Sequence, residues 1–138
     1  MSEGHYPPHL LRAYLGLTKG QLSHWLEYFD PRESGERYFT WGQIYQFQIL
    51  QHLIVRCKKT ARFLSHCQLE APLEALSARV PQEDLSQQYL IIDYENKHAC
   101  VIAAADFAQL AKRHQPTHLI ITDLHHLYRL HEQRMREL

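Results

Sequence analysis

The chain has 138 residues, 45% of them hydrophobic, with fifteen basic and fifteen acidic side chains. That length buries a real core but leaves little room beyond one functional module and one accessory unit, and zero net charge argues against a binder that holds polyanions by bulk charge alone. The average hides a split: residues 1–65 carry eight Lys/Arg against five Asp/Glu, and residues 66–138 carry seven against ten, so an anionic partner belongs with the first half.

In chain order, Pro7-Pro8 opens a first helix that runs through Leu10, Leu11, Tyr14 and Leu15. Gly16 stops it, because glycine takes positive φ at no steric cost. Thr18 offers a hydroxyl cap to a second helix reaching Phe29, in which Leu22, Trp25, Leu26 and Phe29 recur at three- and four-residue steps. That stripe faces a core and leaves Lys19, Gln21, Ser23 and His24 towards solvent. Asp30-Pro31 ends the helix, and Glu33-Ser34-Gly35-Glu36 supplies turn chemistry between Arg32 and Arg37-Tyr38-Phe39, which predicts a two-stranded wing with a guanidinium on each arm. Thr40 and Gln43 form a capping box for a third helix with an apolar stripe at Ile44, Phe47, Leu50 and Ile54, a support for the elements before it.

Lys58-Lys59 marks a break, followed by a helical stretch with Ala61, Phe63, Leu64 and Cys67. Pro72 and Pro81 bracket a short connecting helix over 73–79. From Tyr89 the texture changes to strand-like runs, Tyr89–Tyr94 and His98–Ala103, around Glu95-Asn96-Lys97, where Asn96 suits the left-handed position of a hairpin loop. A helix over 105–114 is ended by Pro116, a third strand covers 118–122, and Asp123 caps a last helix whose Leu124, Leu127, Tyr128, His131, Met135 and Leu138 share a face. The fold class expected is mostly α with a small α/β C-terminal unit: a winged helix-turn-helix, then a β-β-α-β-α segment.

Leu17-Thr18-Lys19-Gly20-Gln21-Leu22 resembles the Val-Ser-x-x-Thr-Leu segment that opens the recognition helix of MerR-type regulators. Arg32-x-x-Gly35-x-Arg37-x-Phe39 resembles their wing, Arg-x-x-Gly-Tyr-Arg-x-Tyr, and Thr40-Trp41-Gly42-Gln43 falls where that family begins its next helix. The resemblance covers roughly residues 8–66. It departs where Ser23-His24-Trp25 replaces the family's Arg-Tyr-Tyr, removing one phosphate-contacting arginine, and where a strand-containing unit replaces the long antiparallel dimer helix. The resemblance implies a homodimer on a pseudo-palindromic site.

The expected organisation is a DNA-binding domain at 1–66, a helical connector at 67–85 and an accessory or dimerisation unit at 86–138. The function expected is sequence-specific binding of double-stranded DNA in transcription regulation. Residues 18–24 enter the major groove, Lys19 and Gln21 reach base edges with Thr18, Ser23 and His24 beside them, and Arg32, Arg37 and Tyr38 form the wing contacts to phosphates or the minor groove. Two alternatives share these features: an excisionase-like architectural DNA binder, and a protein-interaction adaptor that has lost DNA.

No Gly-rich phosphate loop, nucleophile elbow or paired carboxylates suggest an enzyme. Cys57, Cys67 and Cys100 lack metal-ligand spacing and read as reduced thiols. Eleven histidines make the charge pH-sensitive between about 5 and 7. Among them His114 and His118 are separated by Pro116, and His125, His126 and His131 lack partner ligands, so neither a metal nor another cofactor is expected. No leader pattern opens the chain, and the runs Tyr89–Ile92 and Val101–Ala105 are too short to span a bilayer, so a soluble cytoplasmic protein without membrane contact is expected. Self-association is assigned to the C-terminal half; any effector is left unassigned.

Overall fold

The first helix, α1 (Pro8–Leu15), starts on Pro8 and ends at Gly16 with φ 68°, whose N–H returns to the Arg12 carbonyl. In a computed structural model, residues 5–113 and 118–138 are described; the expected helix stop at Pro116, and His114, lie outside them. Next comes α2 (Lys19–Tyr28), closed by a full capping box in which Thr18 Oγ1 accepts from the Gln21 amide while Gln21 Oε1 accepts from the Thr18 amide. Leu22, Trp25 and Phe29 are buried, as their spacing requires.

Residues 30–38 depart from the expected hairpin. They form a loop with a turn at Glu33–Glu36 and Gly35 at φ 87°, and the strand-like element here is a single bridge between Tyr6 and Phe39. Side-chain carboxylates have taken the donors that a ladder needs. Asp30 Oδ1 accepts from the Arg32 amide, and Glu36 Oε1 accepts from the amides of both Arg37 and Tyr38, while Pro31 has no N–H to give.

The Thr40/Gln43 box opens α3 (Trp41–Gln51). Instead of one apolar stripe, this helix is buried on all sides, Tyr45, Phe47 and Ile49 included, because α1, α5 and α7 surround it. It passes into a π-helical turn over His52–Arg56, closed by the Cys57 amide on the His52 carbonyl. Lys58, at φ 56°, makes the expected break before α4 (Ala61–Ser65). The connecting helix, α5 (Glu70–Arg79), begins before Pro72 rather than after it, which proline allows in a first turn, where no intrahelical N–H bond is lost. Gly42 is where α3 and α5 meet: a Cβ there would lie 2.1 Å from the Ser77 carbonyl oxygen.

A three-stranded antiparallel sheet follows in the order β2-β1-β3, with β1 Gln88–Asp93, β2 His98–Ala103 and β3 Leu119–Asp123. Leu90 stands opposite Val101 and Thr122, and Ile92 opposite Ala99 and Ile120; with period-two alternation this face enters the core. At the hairpin the left-handed residue is Lys97, not Asn96, because Asn96 donates through its amide and side chain to the Asp93 carboxylate. On the opposite face the Phe107 ring of α6 (Phe107–Arg113) packs at a tilt against Tyr89, their centres 5.0 Å apart.

The last helix, α7 (Leu124–Arg136), is capped by Asp123 and packs on α3 and β1. Its stripe is therefore used inside the chain: Leu124, Leu127 and His131 are buried, and the Tyr45 hydroxyl donates to the Leu124 carbonyl at 2.9 Å. Leu11, Trp25, Phe47, Leu73, Leu76, Leu90 and Leu127 belong to one cluster, so residues from all three expected segments share a core. The architecture is mixed α/β, a helical layer with a small α/β portion.

Candidate nucleic-acid interface

The turn at Gly16 and the cap at Thr18 separate α1 from α2, and the 30–38 loop returns beside them. Between these three parts lies an open cleft of about 720 Å³ lined by Arg12, Lys19, Ser23, Arg32, Arg37 and Tyr38, among others. Five of the eight residues expected to contact DNA thus share one concave surface.

Each of the eight has a definite setting. Lys19 and Ser23 are exposed on α2, and Arg37 and Tyr38 are exposed on the loop. Thr18 and Gln21 are also exposed, but their side-chain oxygens are occupied by the capping box, so Gln21 retains only its amide nitrogen for a base edge. His24 turns to its own helix, 3.8 Å from Glu27 and edge-on to Tyr28 at 5.5 Å. None of these three lines the cleft.

Arg32 departs most from expectation. Its guanidinium pairs with Asp30 through Nε and Nη2 at 3.0 and 2.9 Å, donates to the Arg37 carbonyl at 3.1 Å and lies 4.4 Å from the Phe39 ring centre. A planar fork can meet a carboxylate, a carbonyl and a ring together, which an ammonium cannot. Partial burial pushes the Asp30 carboxyl up, but the Arg32 hydrogen bonds and charge outweigh it and hold it below its ordinary range. Arg32 therefore clips the loop together, and Arg37 is left as the exposed guanidinium on it.

Sequence reasoning passed over Arg12. It lies on α1 between the buried Leu11 and Tyr14, faces the cleft, and its Nε is buried with no hydrogen-bond partner among the described residues. The available signal was a basic residue on the polar side of the helix preceding the turn. Glu36, the acid lining the cleft, is oriented by the two backbone amides it accepts.

The histidines near Asp123 scatter instead of converging. His125 faces Asp84 at 3.9 Å, His126 lines a surface cleft with His52, and His131 is wholly buried. Asp123 caps the His126 amide. Among the described residues no three potential ligands gather as for a metal ion, and no helix is long and apolar enough to cross a membrane. No family model, curated protein or solved structure matches the chain.

Proposed function

We propose that the chain is a sequence-specific binder of double-stranded DNA, a cytoplasmic transcriptional regulator of the winged helix-turn-helix kind, with the 30–38 loop in place of a two-stranded wing, that acts as a homodimer. The observation that carries this reading is the convergence of Arg12, Lys19, Arg37, Ser23 and Tyr38 on one concave face beside a capped turn-helix unit. Cations on two helices and a loop match a curved row of phosphates, while Lys19 and Ser23 stand on the helix that would enter the groove. Arg32 supports this by holding the loop in shape.

The homodimer contact falls on the sheet, because most of the α7 stripe is already covered, Leu138 at its end remaining exposed. The outer edge of β3 pairs with no other strand among the described residues, and Ile121 on it is half exposed; such an edge accepts a second strand. Selection of bound sites from a random duplex pool tests the function. A recovered site with two related halves supports it, and a pool without enrichment contradicts it. The commitment of Arg32 to Asp30 favours one other reading, a protein-interaction adaptor, which that second outcome would select.

A further inference from the structure

A second cleft, about 580 Å³, lies away from the first, between the π-helical turn and α7. We propose that it binds a small organic oxyanion, a phosphate or carboxylate, gripped by Arg56 and Arg134 with the imidazoles of His52 and His126 as further donors. Four nitrogen-bearing cationic or protonatable groups line it and, among the described residues, no aspartate or glutamate does, Glu132 lying in the adjoining cleft beyond His126 and Leu130. Burial first, and after it the charges of Arg56 and His126, keep the His52 imidazole below its ordinary value; an anion between these groups would oppose the charge part of that shift. Guanidinium forks suit phosphate and carboxylate oxygens alike.

Val55, 56% exposed on the π turn, and Leu130 add apolar wall, so a ligand with a hydrocarbon body as well as a charged head fits better than a bare ion. A π turn is an uncommon backbone form that recurs where side chains must be aimed at a site, and here it presents His52, Val55 and Arg56 to one cleft. The rear wall also holds the end of α1. Arg134 donates to Gln51 Oε1 and approaches the Tyr14 carbonyl, and Gln51 Nε2 donates to the Leu15 carbonyl at 2.8 Å. A ligand on Arg134 is therefore felt at Leu15 and Gly16.

The test is titration of the full chain, without DNA, in a zwitterionic buffer with phenyl phosphate in one arm and benzoate in the other, followed by calorimetry and by NMR of the imidazole and amide signals. Saturable binding in either arm is expected, the better arm naming the head group, with shifts at His52 and His126 that reach the Leu15 and Gly16 amides. Arg56→Gln, at an exposed position, should weaken binding about tenfold or more, and His126→Ala should weaken it without altering the thermal midpoint. Absence of saturation in both arms by about 10 mM, or binding indifferent to Arg56→Gln with shifts confined to Arg12, Lys19 and Arg37, overturns the proposal. Because no duplex is present, either result leaves the DNA reading to its own test.

Discussion

The Tyr14 hydroxyl oxygen lies 2.8 Å from Nδ1 of His131, a residue 117 positions away. Tyr14 sits on α1 and His131 on α7, so this contact ties the helix before the turn to the last helix. Tyr14 donates its one proton to Gln48 Oε1 at 3.0 Å, which makes Nδ1–H of a neutral imidazole the donor to Tyr14. The rings of Trp41, Tyr45 and Tyr128 enclose the imidazole at centroid distances of 4.6, 5.6 and 5.8 Å.

Burial lowers the His131 imidazole from 6.5 to about 4, the Trp41 backbone offsetting this in part. The folded protein thus binds fewer protons at this site than the unfolded chain, and stability rises with pH across the interval. The contribution is fully present above about 6.5 and is lost as pH falls towards about 4, amounting to about 3 kcal/mol at most. Urea denaturation at pH 7.5 and pH 5 should show wild type losing more stability than His131→Phe. Equal losses would contradict the assignment, since His52, also lowered by burial, is present in both proteins.

Gly42→Ala should destabilise the chain by about 3 kcal/mol, because its methyl group meets the Ser77 backbone and not a side chain that can swing aside. Chemical denaturation measures this. Gly20, with no atom within 4 Å of a built Cβ, is the control: Gly20→Ala should be neutral or stabilising by a few tenths of a kcal/mol, or about 0.5 kcal/mol.

Much of this fold was legible because local chemistry and tertiary packing agree. Pro8 and Gly16 bound α1, the Thr18 cap and the Thr40/Gln43 box close as expected, and the three strand-like runs pair as strands. Disagreement arose where side chains or neighbours overrode the pattern. The loop has no ladder because Asp30 and Glu36 capture its amides, a competition that turn composition does not reveal. Helix α3 lost its polar side because α1, α5 and α7 all converge on it, and burial of Gln46 and Gln48 has no marker in a single chain. For the candidate interface, Lys19 and Arg37 stood out as charges beside a turn. Arg32 is set by Asp30, the Arg37 carbonyl and Phe39, all near in sequence but brought together by the loop's shape; Gln21 is taken by the cap on Thr18, and Arg12 faces the cleft only because the loop folds back beside α1.

Gln21→Glu should keep the capping box, since glutamate accepts from the Thr18 amide as glutamine does, whereas Thr18→Ala should cost about 1 kcal/mol. Thermal melts check both. If Gln21 also reads a base through its amide nitrogen, Gln21→Glu will lose about 1–3 kcal/mol at one base pair of the selected site while melting as wild type does.

Arg32→Ala should free the loop without unfolding the chain. Its ion pair with Asp30 is partly exposed, so the loss of global stability should be about 1 kcal/mol or less. Amide exchange at residues 33–38 should speed up, and Arg32→Lys should not restore protection, because an ammonium cannot span Asp30, the Arg37 carbonyl and Phe39 together. Protection unchanged in Arg32→Ala would remove the clip.

The DNA reading rests on the face shared by α1, α2 and the loop, and the salt dependence of duplex binding tests it most directly. Fluorescence anisotropy with the selected duplex, over a series of salt concentrations, should show Arg37→Ala and Arg12→Ala each binding more weakly to all sequences and each reducing the slope of log affinity against log salt by about one. Wild-type affinity and slope retained in both variants, or no duplex binding by the wild-type protein at low salt, would contradict it.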